Sequence, residues 1–258
     1  MPNTRSVANK SPSVVTRRAG RPRKNAVSAG DALGRERIFQ STLTLIDRGG
    51  LTAFNIRELA AFLGVAPAAV YWHVPSRDAL VSGAIALALE GVADDAQPGP
   101  WQQRIAGLLR RFRRTLRAHP RLAPAVASEL AYNAAFNAAL LDQIIAALED
   151  AAFKGTELVN AFNVVVAALL GFATLELSSA PPGPPDTWEQ ACRTQIGAVD
   201  ADQHPHLARH RDKLSNRAFL MRWSSGFECP LDSSFEAWID VLICGLESRS
   251  RTLNKSCT

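Results

Sequence analysis

The chain has few cysteines, four in 258 residues, and they form no recognisable site. No Cys-x-x-Cys pair and no zinc-finger spacing occurs, so we expect neither a disulfide framework nor a structural zinc site. Free thiols are typical of a reducing compartment, and we expect a cytoplasmic protein that needs no cofactor. The four residues are Cys192, Cys229, Cys244 and Cys257.

Long apolar runs are also scarce. The most apolar stretch, residues 163–177, contains Glu176 and ends at Ser178, which is short of the roughly 20 apolar residues that a membrane span needs. The first residues are basic, but no apolar segment follows them as a secretory signal would require. The sequence therefore predicts neither a membrane span nor secretion.

Signatures of catalysis are missing as well. We find no Ser-His-Asp arrangement, no glycine-rich loop that would cradle a phosphate and no separated pair of carboxylates. No segment alternates apolar and polar residues in the manner of a strand. These absences predict an all-α protein that is not an enzyme.

Positive charge is concentrated at one end of the chain. Residues 1–37 hold nine Lys and Arg against two acidic residues, whereas the rest of the chain holds 20 against 22. Residues 1–32 show no apolar periodicity and are rich in Ser, Pro, Ala, Gly and Arg, which predicts a disordered basic arm. Such an arm indicates a polyanionic partner.

Four helices are predicted between residues 34 and 93, each bounded by a capping or helix-ending signal. The first ends at the Gly-Gly pair 49–50. Asn55, followed three residues later by Glu58, forms a capping-box pattern that begins a short second helix. Pro67 is placed to begin a third, and Ser76 to cap a longer fourth.

Helical segments continue beyond a Gln-Pro-Gly-Pro break at 97–100. A proline-rich loop follows at 180–185, then another helical stretch at 187–197 and a polar, loop-like region up to about 216. The last helix is expected at 234–249. The chain thus divides into an arm at 1–32, a small helical unit at 33–93, a larger one at 100–251 and a tail at 252–258.

Residues 55–73, NIRELAAFLGVAPAAVYWH, followed by SRDALV, resemble the TetR family of bacterial transcriptional regulators. The Tyr-Trp-His-Val cluster and the ending FEAWIDVLICGLES are similar to the tetracycline-repressor branch. The resemblance covers residues 34–92 most strongly. It implies an N-terminal three-helix helix-turn-helix DNA-binding domain, a C-terminal helical ligand-binding and dimerisation domain, and a homodimer that a small-molecule effector releases from palindromic operator DNA.

The helix-turn-helix assigns the candidate DNA contacts. The helix that follows the three-residue turn fits the major groove of DNA. Leu59, Leu63 and Val70 are the inward residues that we expect to hold this helix and the preceding one together. The resemblance places Arg57 on a guanine, and it places Tyr71, His73 and Arg77 on phosphates. An alternative is that the aromatic residues, Trp72 above all, only pack inside the domain. The candidates at or near the outer face are Pro67, Ala68, Ala69, Tyr71, Trp72 and His73.

The basic arm contains a Gly-Arg-Pro segment in which Arg21 and Arg23 flank Pro22. It is close to the core of AT-hook peptides, which enter narrow minor grooves where negative potential is enhanced. Ala19 replaces the first arginine of that pattern, so the match is partial. The alternative is a solvated tail that adds nonspecific, salt-sensitive affinity.

The resemblance also implies an effector cavity and a dimer interface in the C-terminal domain. Tetracycline itself is not expected, because the magnesium-chelating histidines of that branch have no evident counterparts. Ordinary core packing is the alternative role for every wall residue. Candidate cavity walls are Phe112, Leu130, Phe136, Phe162 and Phe172, and candidate dimer contacts are Leu175, Phe235, Trp238 and Leu242.

Two other clusters offer different functions. His204, His206 and His210, with Asp200 and Asp202, are metal-ligand types and would suit a metal-responsive regulator. A transcriptional activator is a further alternative to a repressor. A row of arginines could form a second nucleic-acid surface, although a solvated face or a contact to an acidic ligand is the preferred interpretation. The row is Arg110, Arg111, Arg113, Arg114 and Arg117.

Overall fold

The computed structural model describes residues 33–94, 98–131, 137–178, 183–227 and 229–256, and within them every helix is α and no strand occurs. This confirms the all-α prediction. The predicted arm with Arg21 and Arg23, and the wall candidate Phe136, lie outside the described residues. The helices are α1 Arg35–Gly49, α2 Ile56–Leu63, α3 Pro67–His73, α4 Arg77–Asp94, α5 Trp101–Ala118, α6 Ala123–Ala131, α7 Ala138–Asp150, α8 Gly155–Glu176, α9 Pro185–Gly197, α10 Pro205–Leu214, α11 Ser224–Phe227 and α12 Asp232–Ser256.

Local chemistry fixes the ends of the first four helices. The Asn55 side chain accepts a hydrogen bond from the Glu58 backbone N–H at 3.0 Å, which caps α2. Gly64 ends α2 in the left-handed conformation, with φ of 70°. Ser76 Oγ accepts from the Ala79 N–H at 3.0 Å and so caps α4. The predicted bounds of these helices are therefore close to those observed.

Helix α4 lies at the centre of the fold and packs against α1, α5, α6 and α7. Its apolar stripe, which includes Leu80, Ala84, Ile85 and Leu89, is fully buried. Helix α8 packs against α5, α6, α7 and α12. Residues from Gly34 onward form one compact unit, so the segments predicted at 33–93 and 100–251 share a continuous core.

Two predictions about the C-terminal part were wrong. The polar region before residue 216 contains α10, and α12 runs from Asp232 to Ser256, so most of the predicted tail at 252–258 is helix. Neither α9 nor α10 buries a residue. The helical stretch predicted at 187–197 matches α9, whereas the mostly polar sequence of α10 has no apolar stripe and was predicted to be loop-like.

Candidate nucleic-acid interface and effector region

Helices α2 and α3 are joined by residues 64–66 and together form a compact unit that we call the reading head. Leu59, Val70 and Val74 are completely buried. Leu63, predicted to be inward, is half-buried. The apolar anchors hold α3 in place, and its opposite side faces solvent.

The solvent-facing side of α3 carries most of the predicted DNA contacts. Trp72 is 88% exposed and Tyr71 is 50% exposed. Pro67 and Ala68 are exposed, whereas Ala69 and His73 are half-buried. The alternative in which Trp72 packs inside the domain is therefore wrong.

Two arginines in and beside the head have different surroundings. Arg57, on α2, is exposed. Arg77, at the start of α4, donates to the backbone oxygens of Leu51 at 2.6 Å and Phe54 at 3.3 Å, and its guanidinium lies over the Phe54 ring. Arg77 thus anchors α4 to the loop after α1. A contact between Arg77 and a phosphate would use the part of the guanidinium that remains exposed.

Three polar contacts connect α1 and the middle of α4 to the C-terminal helices. Asp47 of α1 lies 2.8 Å from His119 Nδ1 at the end of α5. Arg121 donates to the backbone oxygen of Arg48. In the middle of α4, the Ser82 hydroxyl donates to Glu129 of α6 at 2.5 Å. A movement of α5 and α6 would therefore displace α1 and α4 directly.

The far end of α4 is held by side chains that sequence reasoning did not single out for this role. Arg111 Nε donates to the Val92 oxygen at 2.8 Å, and Gln143 Nε2 donates to the Ala93 oxygen. The last carbonyls of a helix have no partner within it, so these donors satisfy groups that would otherwise be buried and unpaired. α4 is thus tied to α5 and α7 at its C-terminal end.

Several arginines of the α5 row are paired within the subunit. Arg110 forms a bidentate pair with Glu236 of α12, at 3.0 and 2.5 Å. Arg117 bonds Asp232 at 3.2 Å, and Arg111 is buried against α4. The arginines fasten α5 to its neighbours within the subunit. Arg111 is buried, so neither sequence interpretation applies to it, whereas Arg110 and Arg117 are exposed, as the solvated-face interpretation expected.

The centre of that row is a buried ion pair. Arg113 donates to both oxygens of Glu176 at 2.6 and 2.7 Å, and its guanidinium lies 4.4 Å from the centre of the Phe235 ring. Burial by itself would raise the pKa of Glu176, but hydrogen bonds from Arg113 and from the Leu231 N–H outweigh it, so the pKa is lowered. Arg113 also lies 2.8 Å from the Asp232 carboxylate, so the cluster joins α5, α8 and the start of α12.

The candidate cavity walls divide into two groups. Phe112 and Phe172 are buried, and the Phe172 ring makes edge contacts with Phe219 and Phe235 at 5.0 and 5.1 Å. These two residues are core in this conformation, as the packing alternative expected. Leu130 and Phe162 are half-buried and remain wall candidates.

The candidate dimer contacts are also unequal. Leu175 on α8 is 50% exposed, whereas Phe235 on α12 is only 3% exposed because it packs against Phe172 within its own subunit. Trp238 and Leu242 are half-buried. Phe235 is therefore not placed to meet a partner, which corrects its assignment.

Helices α8 and α12 expose an apolar face that the predictions only partly covered. Val241 is 73% exposed, and Val159 and Val164 are 56% and 48% exposed. Between the two helices lies a groove of about 430 Å³, bordered by the Glu157–Arg249 ion pair. We call this surface the α8–α12 face. It is apolar and partly open to solvent.

Comparison with known proteins fits this architecture. Residues 38–84 match the family described as bacterial regulatory proteins, tetR family, and residues 95–249 match the tetracyclin repressor-like C-terminal domain. The chain belongs to the TetR family. Members of this family are transcriptional regulators and not enzymes.

Individual relatives agree with the family assignment. An HTH-type transcriptional regulator of Saccharopolyspora erythraea is 27% identical over 145 residues, which are 56% of this chain and 61% of that protein. The crystal structure of a possible TetR family regulator from Streptomyces coelicolor A3(2) has a TM-score of 0.63 and 26% identity over 83% of this chain and 98% of that one. ActR from S. coelicolor, solved in complex with (S)-DNPA, has a TM-score of 0.64 at 19% identity, over 85% of this chain and 99% of that one.

The metal alternative finds no support in the described part of this TetR-family chain. There, no group of three or more His, Cys, Asp or Glu side chains is arranged to hold a metal ion. His204 precedes α10, while His206 and His210 lie one turn apart on it. The histidine pattern belongs to an exposed helix and not to a ligand cluster, so the described residues do not support the metal-responsive alternative.

Helix α8 of the TetR-family fold also bears on the membrane prediction. By length and composition Gly155–Glu176 could cross a bilayer, with a mean hydropathy of 2.0 over its most apolar window. The helix has 22 residues and is therefore longer than the apolar run found in the sequence, residues 163–177. In this fold the helix packs against four others, and its exposed apolar residues belong to the α8–α12 face.

Proposed function

We propose that this TetR-family protein is a homodimeric repressor that binds a palindromic operator and leaves it when a small molecule enters the C-terminal domain. The observation that carries the proposal is the exposed side of α3, together with the exposed Arg57 beside it on α2. A rigid helix that presents aromatic and apolar residues to solvent next to an arginine is suited to the major groove.

Arg57 supplies the polar part of the reading surface. A guanidinium bonds guanine O6 and N7 with two parallel hydrogen bonds, which discriminate against the wrong base by roughly 1–3 kcal/mol. Tyr71 and His73, at the edges of the α3 face, are suited to phosphate contacts that set the orientation of the helix. The basic arm adds affinity through Arg21 and Arg23 in the neighbouring minor groove.

The α8–α12 face is the proposed dimer interface. An apolar face that includes Val159, Val164, Leu175 and Val241 is unfavourable in water, and a second copy would cover it symmetrically. Two reading heads held in this way would meet two half-sites about one helical turn apart. A palindromic operator follows from that two-fold symmetry.

Helix α4 is the proposed link between effector and operator. It is tied to the loop after α1 through Arg77, to α6 through Ser82 and Glu129, and to α5 and α7 through Arg111 and Gln143. A packed helix fixed at three points moves as a unit rather than absorbing a shift. An effector that displaces α6 would therefore change the separation of the two heads.

The test is selection of binding sites from random duplex DNA, followed by affinity measurements with Arg57→Ala. We expect an inverted repeat whose affinity falls by about 10-fold or more in the variant, because each subunit loses one guanine contact. Arg209→Ala, which removes an exposed arginine from α10, is the matched control and should bind normally. Removal of residues 1–30 should weaken binding and flatten its salt dependence.

Failure to enrich any sequence with folded, dimeric protein would contradict the proposal. Once the operator is known, release by small molecules can be screened on it. A promoter that is silenced by the bound protein supports repression, and one that is stimulated supports the activator alternative.

A further inference from the structure

The outward face of α3 is apolar at its centre. Val70 and Val74 are completely buried on the inner side. At about 100° per residue, Ala68 and Trp72 lie roughly 160° and 200° around the helix from Val70, which is the side opposite the core. The exposures agree, since Ala68 is exposed and Trp72 is 88% exposed. The residues that point most directly away from the protein are thus a methyl group and an indole.

The neighbours of Ala68 strengthen this character. Pro67 is exposed and Ala69 half-buried, and neither side chain has a hydrogen-bond donor or acceptor. Tyr71 and His73, the polar residues of the helix, lie about 80–120° away from the centre of the face. The first turn of α3 can therefore recognise base edges through its side chains only by apolar contact.

The major groove offers one apolar group to such a surface. Guanine, adenine and cytosine present donors and acceptors there, whereas thymine also presents its 5-methyl group. A large aromatic side chain such as Trp72, left 88% exposed on a small domain, also gains by covering apolar surface in a complex. The apolar outward face of α3 and the thymine methyl groups in the major groove are therefore chemically complementary.

We propose that α3 reads its half-site through thymine 5-methyl groups, with Ala68 and Trp72 as the contacting residues and Pro67 and Ala69 beside them. The inference rests on the proposed operator-binding function and specifies the chemistry of its recognition. Arg57 contributes the guanine contact from α2, so the half-site combines one guanine with a run containing thymines under α3. The specificity of the first turn of α3 comes from shape and methyl contact, not from side-chain hydrogen bonds.

The test replaces each thymine of the selected operator, one at a time, with uracil. Uracil keeps every hydrogen-bonding group of thymine and lacks only the methyl group. Burial of one such group is worth about 0.8 kcal/mol, so each contacted thymine should lose about fourfold in affinity per half-site when it is replaced. Thymines outside the half-sites are the internal control and should tolerate uracil.

A variant of the protein shows which thymine methyl group lies opposite Ala68. In Ala68→Gly, uracil at the thymine opposite Ala68 should cost little further affinity, because the protein methyl group is already missing. Ala139→Gly on α7 also replaces an exposed alanine and should leave the uracil effects unchanged. Circular dichroism at the assay temperature checks that each glycine variant is folded.

The outcomes separate the two proposals. A specific operator that binds equally well with uracil at every half-site position would overturn the methyl-reading inference and leave the repressor function intact. Loss of affinity with uracil that persists in full in Ala68→Gly would remove Ala68 as a contact. If selection yields no operator, the proposed function fails, and the inference fails with it.

Discussion

At the residue scale, the arginine row of α5 shows how burial changes the meaning of a charge. In the sequence these arginines look like a basic patch, yet Arg113 is buried against Glu176 and Arg110 is paired with Glu236. A buried charge that loses its partner is costly, whereas an exposed pair contributes little. The two pairs therefore predict very different responses to the same substitution.

Glu176→Gln should lower the free energy of unfolding by about 1.5–3 kcal/mol, because it removes the buried counter-charge of Arg113 and leaves the guanidinium only the exposed Asp232 carboxylate, 2.8 Å away. Glu236→Gln, at an exposed pair, is the matched control and should cost less than about 1 kcal/mol. Urea unfolding of both variants gives the comparison. Equal losses would show that the Arg113–Glu176 pair is not the stabilising contact described here.

The same pair predicts a pH dependence. The pKa of Glu176 is lower in the folded protein than in the unfolded chain, so the folded state gains stability once the carboxyl ionises in the unfolded chain, above roughly pH 4.3. This contribution is lost as the pH falls through the lower, folded pKa. Wild-type protein should therefore lose more stability than Glu176→Gln between about pH 5 and 3, measured by urea unfolding. Parallel profiles would contradict the pKa assignment.

At the element scale, α1 and α4 approach each other closely at Gly83. A Cβ placed there would overlap the ring of Phe39, whereas one placed at Gly91 of the same helix would meet nothing within 4 Å. Gly83→Ala should therefore destabilise the protein by about 1–3 kcal/mol through overpacking. Gly91→Ala should stabilise it by about 0.5–1 kcal/mol through helix propensity.

Thermal unfolding of the two glycine variants checks this contact. A second substitution, Phe39→Leu, should recover part of the loss in Gly83→Ala, because it withdraws the ring that the new methyl group meets. If both glycine variants are stabilised alike, α1 and α4 are not in the close contact observed.

The sequence predicted the head better than the rest, for physical reasons. Asn55, Gly64, Pro67 and Ser76 act on the backbone within three residues of themselves, so their effects can be recognised locally. Helix α9 also buries no side chain, but Trp188, Cys192 and Ile196 recur on it at helical spacing, whereas α10 is mostly polar and has no such stripe. Local chemistry predicts helix ends, whereas an exposed, mostly polar helix leaves little signal.

The candidate site residues also differ in whether local sequence or distant contacts determine their surroundings. The exposure of Arg57 and Ala68 and the inward position of Val70 follow from helical periodicity on one short element. The burial of Phe235 on α12 and the pairing of Arg113 on α5 both depend on residues of α8, which lies far from each of them in the chain. Contacts between distant helices cannot be derived from the spacing of residues within one helix.

At the scale of the whole molecule, the α8–α12 face should control assembly. Val241→Glu would bury an unpaired carboxylate at the proposed interface and should raise the dimer dissociation constant by about 100-fold or more. Leu220→Glu, at a leucine that is 91% exposed outside this face, is the control and should remain dimeric. Sedimentation velocity measures both, and a dimeric Val241→Glu would place the interface elsewhere.

The central claim is that two reading heads, held by one dimer, meet two half-sites on the same side of the duplex. The most direct measurement is the affinity of the dimer for its selected operator after about 5 base pairs, half a helical turn, are inserted between the half-sites. We expect the affinity to fall to that of a single half-site, because one half-site then faces away from its head. Undiminished affinity would contradict the account, because it would mean that each head binds independently of the other.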